Sequence, residues 1–356
     1  MAKKLRAALL LGALLGVCVN GTVVAATAKK AEQHTAKKAA VKPAKQASAS
    51  TKAKPRTAAK SDRSAKKTVA ASHSNRSVRL AAKSSARPVR HASFSDFEQD
   101  AGRLALYSAS ALVIDQSSGQ VMFEKQPDMV VPIASISKLM TAMVVLDAKP
   151  DMQEVISIGE EDVDGLKGTR SRLPVGTTMT RETAMLLALM SSENRAAHAL
   201  GRHYPGGMPA FVQAMNKKAH ALGMYNTRFE EPTGLSSNNV STAHDLARMV
   251  AAAARYPEIR GFSTTAEARV DLKGRIREFH NTNALVRSDN WEIGVSKTGY
   301  ISEAGRCLVM QARVAERPVV IVLLDSNGKM TRVGDANRIK RWMESAGLGS
   351  GQRGPA

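Results

Sequence analysis

The chain is short of cysteine and of aromatic side chains, and residues 29–92 are short of acidic and large apolar residues. Its two cysteines are Cys18 and Cys307. Cys18 lies in a leader expected to be removed, so no internal disulfide is expected in the mature chain. A protein of that kind must be held by its core. Cys307 sits in the apolar run Cys307-Leu308-Val309-Met310 and reads as a buried structural cysteine. No His-Glu-x-x-His zinc motif and no Walker loop occur, so no cofactor is called for. No internal repeat is visible, and no further domain is expected after Gly347.

Basic residues are present in excess. The formal net charge is +21, of which +16 falls between Lys29 and Arg90 and three further charges come from Lys3, Lys4 and Arg6. From His91 onward the chain carries only +2. The basic character therefore belongs to a leader and a tail, which argues against nucleic acid as a partner. The charged start, the apolar stretch Ala7–Val17 and the small residues Ala25, Ala26 and Ala28 form an export signal, residues 1–28, cleaved after Ala26 or Ala28. The apolar stretch is too short for a comfortable membrane span. The competing reading is an uncleaved anchor; Val17 makes Cys18 a poor site for lipid attachment. Export by such a signal points to the periplasm.

Residues 29–92 are rich in Ala, Lys and Ser and are expected to be disordered, because they cannot bury enough apolar surface to offset the entropy of ordering. Two readings stay open: a solvated spacer, or electrostatic attachment to wall polymer or lipid head groups at a membrane surface. A folded domain is expected over 93–348, followed by a disordered C-terminus, 349–356.

Within that domain, Ser110–Asp115 and Gln120–Glu124 flank a Ser-Ser-Gly turn and read as a hairpin. Apolar periodicity predicts helices at Ser137–Asp147, Arg181–Met190, Glu193–His203, Pro209–Leu222 and Thr242–Ala254. Strand-like runs return at Trp291–Lys297, Arg306–Val314 and Pro318–Leu324, the last two joined by Ala315-Glu316-Arg317. Met330–Glu344 closes as a helix with Ile339 and Trp342 on one face. Strands at both ends with helices between suggest a sheet whose terminal segments meet.

Three short motifs carry chemistry: Ser135-Ile136-Ser137-Lys138, Ser192-Glu193-Asn194 and Lys297-Thr298-Gly299. Context selects them among copies. Ser-x-x-Lys recurs at Ser64 and Ser326, but the first lies in the tail and the second runs into an Asn327-Gly328 turn. The Ser135 copy opens an apolar helix. Lys138, one turn on, reaches the Ser135 hydroxyl, and the helix N-terminus favours a forming alkoxide. Burial and nearby positive charge lower a lysine pKa enough for it to serve as a base. The plain alternative for Ser135 is a helix cap. Ser192-Glu193-Asn194 falls in a break between helices, where capping is again the plain alternative. Ser-x-Asn copies at Ser236 and Ser237 lie in a loop, and the Ser288 copy leads into the strand of the third motif. Lys297-Thr298-Gly299 ends a strand-like run: Lys297 and Thr298 suit a substrate carboxylate, and Gly299 allows close approach of a ligand.

In this order and setting, the three motifs resemble those of class A β-lactamases and penicillin-binding proteins. Longer stretches narrow the resemblance. Those from Pro132 to Met143, Leu189 to Ala197 and Glu231-Pro-Thr-Gly-Leu235 are similar to the D-alanyl-D-alanine endopeptidase branch of low-molecular-mass penicillin-binding proteins, over roughly Ala109–Glu344. The resemblance implies an α/β fold of the β-lactamase/transpeptidase type: an antiparallel sheet packed by helices beside a helical subdomain. It implies Ser135 as acyl-forming nucleophile, Lys138 as its base, Ser192 as proton relay, and Asn194 as holder of a substrate amide. Lys297 and Thr298 would hold a carboxylate, and the N–H groups of Ser135 and Tyr300 would form an oxyanion hole. Peptidoglycan peptides are the implied substrate, and β-lactam antibiotics the implied covalent inhibitors. No role is implied for Glu193.

The leading expectation is a serine D,D-endopeptidase. A D,D-carboxypeptidase is the nearest alternative, although such enzymes often carry a further C-terminal domain and an amphipathic anchor that do not fit after Leu348. A β-lactamase needs a fast deacylating base, for which Glu230 and Glu231 are the loop candidates. A non-enzymatic basic wall-binding protein is disfavoured by the complete motif set.

Overall fold

The computed structural model describes residues 104–349. The export signal, the basic segment, the expected domain start at 93 and residues 350–356 lie outside the described residues, and the last helix runs one residue past the expected domain end at 348, to Gly349. A five-stranded antiparallel sheet forms the centre, in the order β2-β1-β11-β10-β9. It comprises β1 (Ser108–Asp115), β2 (Val121–Lys125), β9 (Glu292–Ile301), β10 (Gly305–Val314) and β11 (Arg317–Ser326). The two chain-distant segments do meet: β1 pairs with β11, Leu112 opposite Val322. Three small pairs complete the strands: β3 (Val131–Pro132) with β6 (Val240–Ser241), β4 (Val155–Ser157) with β5 (Thr178–Thr180), and β7 (Glu267–Asp271) with β8 (Ile276–His280).

Both faces of the sheet are covered, which explains why its central strands are apolar throughout rather than alternating. In β11, Val320, Val322 and Leu324 face one cluster, and Val319, Ile321 and Leu323 face the other. The first cluster is filled by helices α1 (Lys138–Asp147), α2 (Arg181–Met190), α3 (Asn194–Arg202), α4 (Gly207–Ala221), α5 (Ala243–Ala253) and α6 (Pro257–Thr264). The second is capped by α7 (Thr331–Gly349) through Ile339, Trp342 and Met343. Among the described residues no helix is long and apolar enough to cross a membrane.

Three differences from the sequence reading matter. The β10–β11 turn has two residues, Ala315 and Glu316, both at positive φ (48° and 62°), with Val314 directly opposite Arg317. The hairpin β7–β8 and helix α6 have no counterpart in the reading. β7 alternates, but over only two half-buried apolar residues, Ala268 and Val270, and β8 buries Phe279 alone, so the apolar signal is short and surrounded by charge. The strand carrying Lys297-Thr298-Gly299 does not end there: it continues to Ile301, with Gly299 opposite Cys307 and Tyr300 opposite Arg306. Continued pairing to β10 keeps the chain extended past the motif.

Candidate active site

Ser135 lies in a single 3-10 turn, Ala134–Ser137, that leads directly into α1, and Lys138 is the first residue of that helix. Ala134 is held at φ 49°, a conformation that L-residues adopt only when their surroundings impose it. Two glycines let the backbone close around this turn. A Cβ on Gly234, itself at φ 82°, would stand 1.9 Å from the Ala134 carbonyl oxygen. A Cβ on Gly299 would stand 2.9 Å from the Ile133 carbonyl oxygen and 3.1 Å from the Ser135 nitrogen. Close approach at Gly299 is therefore to the protein's own turn, which brings edge strand β9 against the Ser135 amide. Tyr300, the next residue, is 56% exposed, with the Arg306 guanidinium 4.4 Å from its ring centre.

Lys138 is fully buried. Its Nζ has three partners: Ser135 Oγ at 2.8 Å, Asn194 Oδ1 at 2.8 Å and the Thr233 carbonyl at 2.6 Å. Burial pushes its pKa from 10.5 down to about 7, against the opposing pull of the Glu231 and Glu193 carboxylates. The cage matters chemically. A neutral amine has two N–H donors and one lone pair, and two of the three partners are carbonyl-type oxygens that only accept. With its protons committed to Asn194 and Thr233, neutral Lys138 turns its lone pair to the Ser135 hydroxyl.

Ser192 follows α2 in the left-handed conformation (φ 62°), while the N–H groups of Ser191 and Glu193 both donate to the Leu187 carbonyl. This turn presents the Ser192 Oγ to Lys297, whose Nζ donates to it at 2.8 Å. Lys297 is also buried. Burial, with the charges of Lys138 and Arg332, holds its pKa well below 10.5. Thr298 donates its hydroxyl to Thr282 at 2.7 Å. Asn194 opens α3 and donates from Nδ2 to Thr169 at 3.1 Å. Ser135, Lys138, Ser192, Asn194, Lys297, Thr298 and Gly299 thus come together on one cleft between the sheet edge and the helices.

The rejected copies are elsewhere. Ser326 is buried at the end of β11, 2.6 Å from the Ser108 hydroxyl, while Lys329 is exposed. Ser64 lies outside the described residues.

The family model for D-alanyl-D-alanine carboxypeptidase, peptidase S11, matches residues 97–328. The chain belongs to the S11 peptidase family. It is a serine-type D-alanyl-D-alanine peptidase. It is 52% identical over 242 residues to a D-alanyl-D-alanine endopeptidase of Pseudomonas aeruginosa, covering 67% of this chain and 78% of the relative. Identity is 47% over 247 residues to one of Escherichia coli, covering 69% and 80%. Among solved structures, the Streptomyces K15 DD-transpeptidase is similar at a TM-score of 0.63 and 25% identity, over 68% of this chain and 98% of that one. A D-alanyl-D-alanine carboxypeptidase of Mycobacterium tuberculosis gives 0.61 and 26%, over 68% and 92%. The expected β-lactamase/transpeptidase-like fold is the fold observed.

Three residues to which the sequence reading gives no role help to build this S11 site. Glu193 accepts from Ser171 Oγ at 2.6 Å and Arg172 Nε at 2.7 Å, tying the break before α3 to the neighbouring loop. Asn239 donates to Ser137 Oγ at 3.0 Å and to the Glu231 carbonyl at 2.8 Å, locking the 230–239 loop to the nucleophile turn. Arg332, from α7 behind the sheet, donates to the Gly299 carbonyl at 3.0 Å. The loop candidates for a β-lactamase base are otherwise engaged: Glu230 is bound by Ser236 and Asn238, and Glu231 by its own loop.

Proposed function

We propose that this S11 peptidase is a periplasmic D,D-endopeptidase that cuts D-alanyl cross-links of peptidoglycan through an acyl-enzyme on Ser135. The observation that carries the reaction is the Lys138 cage, in which two obligate acceptors leave the amine lone pair facing the Ser135 hydroxyl. Lys138 takes the Ser135 proton as Oγ attacks the D-alanyl carbonyl carbon. The N–H groups of Ser135 and Tyr300 receive the oxyanion. Ser192 passes a proton to the departing amine as the C–N bond breaks. Asn194 holds a substrate amide, and Lys297 and Thr298 hold the carboxylate of the leaving residue. That carboxylate favours the charged form of Lys297, which the empty site disfavours. Water then cleaves the ester and frees Ser135. A β-lactam acylates the same hydroxyl as its ring C–N bond opens; its amine stays tethered to the acyl group instead of departing, and the persistent ester makes it a covalent inhibitor.

Endopeptidase action is favoured by the names of the P. aeruginosa and E. coli relatives. Carboxypeptidase action is the second reading, on the name of a Bacillus subtilis relative at 30% identity. Purified protein given cross-linked muropeptides, with products identified by mass, is expected to yield monomers from dimers. Loss of terminal D-alanine with the dimers intact would replace the first reading by the second.

The basic segment 29–92 is proposed to attract the enzyme to anionic wall polymer or lipid head groups. Removing residues 29–90 is expected to leave penicillin acylation unchanged and to weaken pull-down by isolated wall. That binding should fall with salt, since exposed charges are screened over ~10 Å at about 0.1 M. Equal, salt-independent binding by both forms would make the segment a spacer.

A further inference from the structure

Glu231 is not among the motif residues, yet it is the most heavily bonded carboxylate of the site. One of its oxygens accepts from the Thr233 N–H and hydroxyl, both at 2.6 Å. The other accepts from the Gly234 N–H at 2.6 Å, and from Ser236 N–H and Asn239 Nδ2 at 3.2 Å each. Charge-assisted bonds of this kind are about twice as strong as neutral ones, so the carboxylate fixes the loop conformation.

The loop so fixed touches the nucleophile segment at each point that matters. The Pro232 carbonyl accepts from Thr141 of α1 at 2.7 Å. The Thr233 carbonyl accepts from Lys138 Nζ at 2.6 Å and is one of the two acceptors that aim its lone pair. Gly234 lies flat against Ala134, the residue strained immediately before Ser135. Ser137 and Asn239 close the same arrangement from the other side, through Ser137 Oγ to the Ala134 carbonyl at 2.9 Å.

We propose that Glu231 is a positioning residue for acylation: its carboxylate sets the 231–236 loop so that the Thr233 carbonyl orients Lys138 and Gly234 braces the turn that carries Ser135. This rests on the assignment of Ser135 as nucleophile and Lys138 as base. Glu231 also acts through space. Lys138 is faced by Ser135 from its own turn, Asn194 from α3, Thr233 from the loop, the carboxylates of Glu231 and Glu193, and the Lys297 side chain of β9. Of these, Glu231 is the largest influence favouring the protonated amine.

The test is the rate of acylation of the full-length protein by a fluorescent penicillin across a pH series, for wild type, Glu231→Gln and Glu231→Asp, with Ser135→Ala in parallel. Glutamine removes the charge and turns an N–H₂ group toward backbone donors. Its plateau rate is expected to fall ~10- to ~100-fold, the scale of a small misplacement of a reacting group. The midpoint of its pH rise is expected to move to lower pH, because a carboxylate that favoured protonated Lys138 is gone. Aspartate keeps the charge but not the reach, so its plateau should fall while its midpoint stays. A Glu231→Gln profile with either plateau or midpoint unmoved overturns the proposal. If that variant does not fold, a wild-type plateau in Glu231→Asp overturns it, as does failure of both to fold. Labelling of Ser135→Ala would instead strike at the nucleophile assignment itself.

Discussion

Ser135→Ala is expected to take no covalent label from a fluorescent penicillin and to release no product from cross-linked muropeptides, a loss on the order of 10⁴-fold or more. Removal of the attacking oxygen leaves the rest of the cleft intact. The Oγ of Ser135 is a partner of Lys138 Nζ and does not cap the helix, since no side-chain cap bond is made at this turn. The substitution should therefore cost little stability and still permit non-covalent binding of penicillin. Other hydroxyls cannot take over. Ser192 Oγ is bonded to Lys297 and is not a partner of Lys138, whose three partners are Ser135, Asn194 and Thr233. Ser326 is enclosed with Ser108 and Asp335. The measurement is gel fluorescence with peptide mapping, beside a thermal melt to show that the variant is folded. Label persisting on the variant, or mapped to Ser64 or Ser326, would end the assignment of Ser135.

What the sequence makes legible at this site is local. Ser135 and Lys138 stand three residues apart, so a helical turn alone brings them together. Lys297-Thr298-Gly299 occurs once and stands at a strand-like run. The apolar runs of β10 and β11 and the periodic faces of α2 and α5 mark the core for the same reason: burial selects side chains at the period of the element. What stays hidden acts through the main chain. Asn239 and Arg332 bond backbone groups that any residue provides, so no spacing rule announces them; Glu231 stands in a family-like stretch, but its backbone bonds are equally silent in the sequence. The Gly234 and Gly299 contacts join segments far apart in the chain, and a glycine alone does not say what approaches it. Gly299, expected to allow close approach of a ligand, also lies against the protein's own turn 133–135, a contact that no local pattern announces. Burial of Lys138 and Lys297 is equally invisible locally, because lysine is ordinarily solvated. It is the convergence of three motifs, each weak by itself, that singles out these two lysines.

Lys138→Arg is expected to fold and to be nearly inactive, with acylation slowed by about 10³-fold or more. The reason lies in the proton. A lysine at its ordinary pKa of 10.5 would be free base less than about one part in a thousand at neutral pH. Burial brings Lys138 to about 7, so roughly half the molecules then hold a competent base. The sign follows directly. The depressed pKa belongs to a cationic acid, so the active neutral form grows as pH rises through about 7 and is lost below it. Wild-type acylation should accordingly climb with pH, about tenfold per unit on the acid side, to a plateau above neutrality. Arginine stays protonated over this whole range and carries donors without a lone pair. Its guanidinium can still donate to Asn194 and Thr233 but cannot accept the Ser135 proton. The variant's profile should be low and flat where the wild type rises. Acylation rates across a pH series, with a thermal melt as the control for folding, decide the matter. A variant acylating at a near-normal rate, or a wild type with no rise near neutrality, would make Lys138 an electrostatic bystander rather than the base.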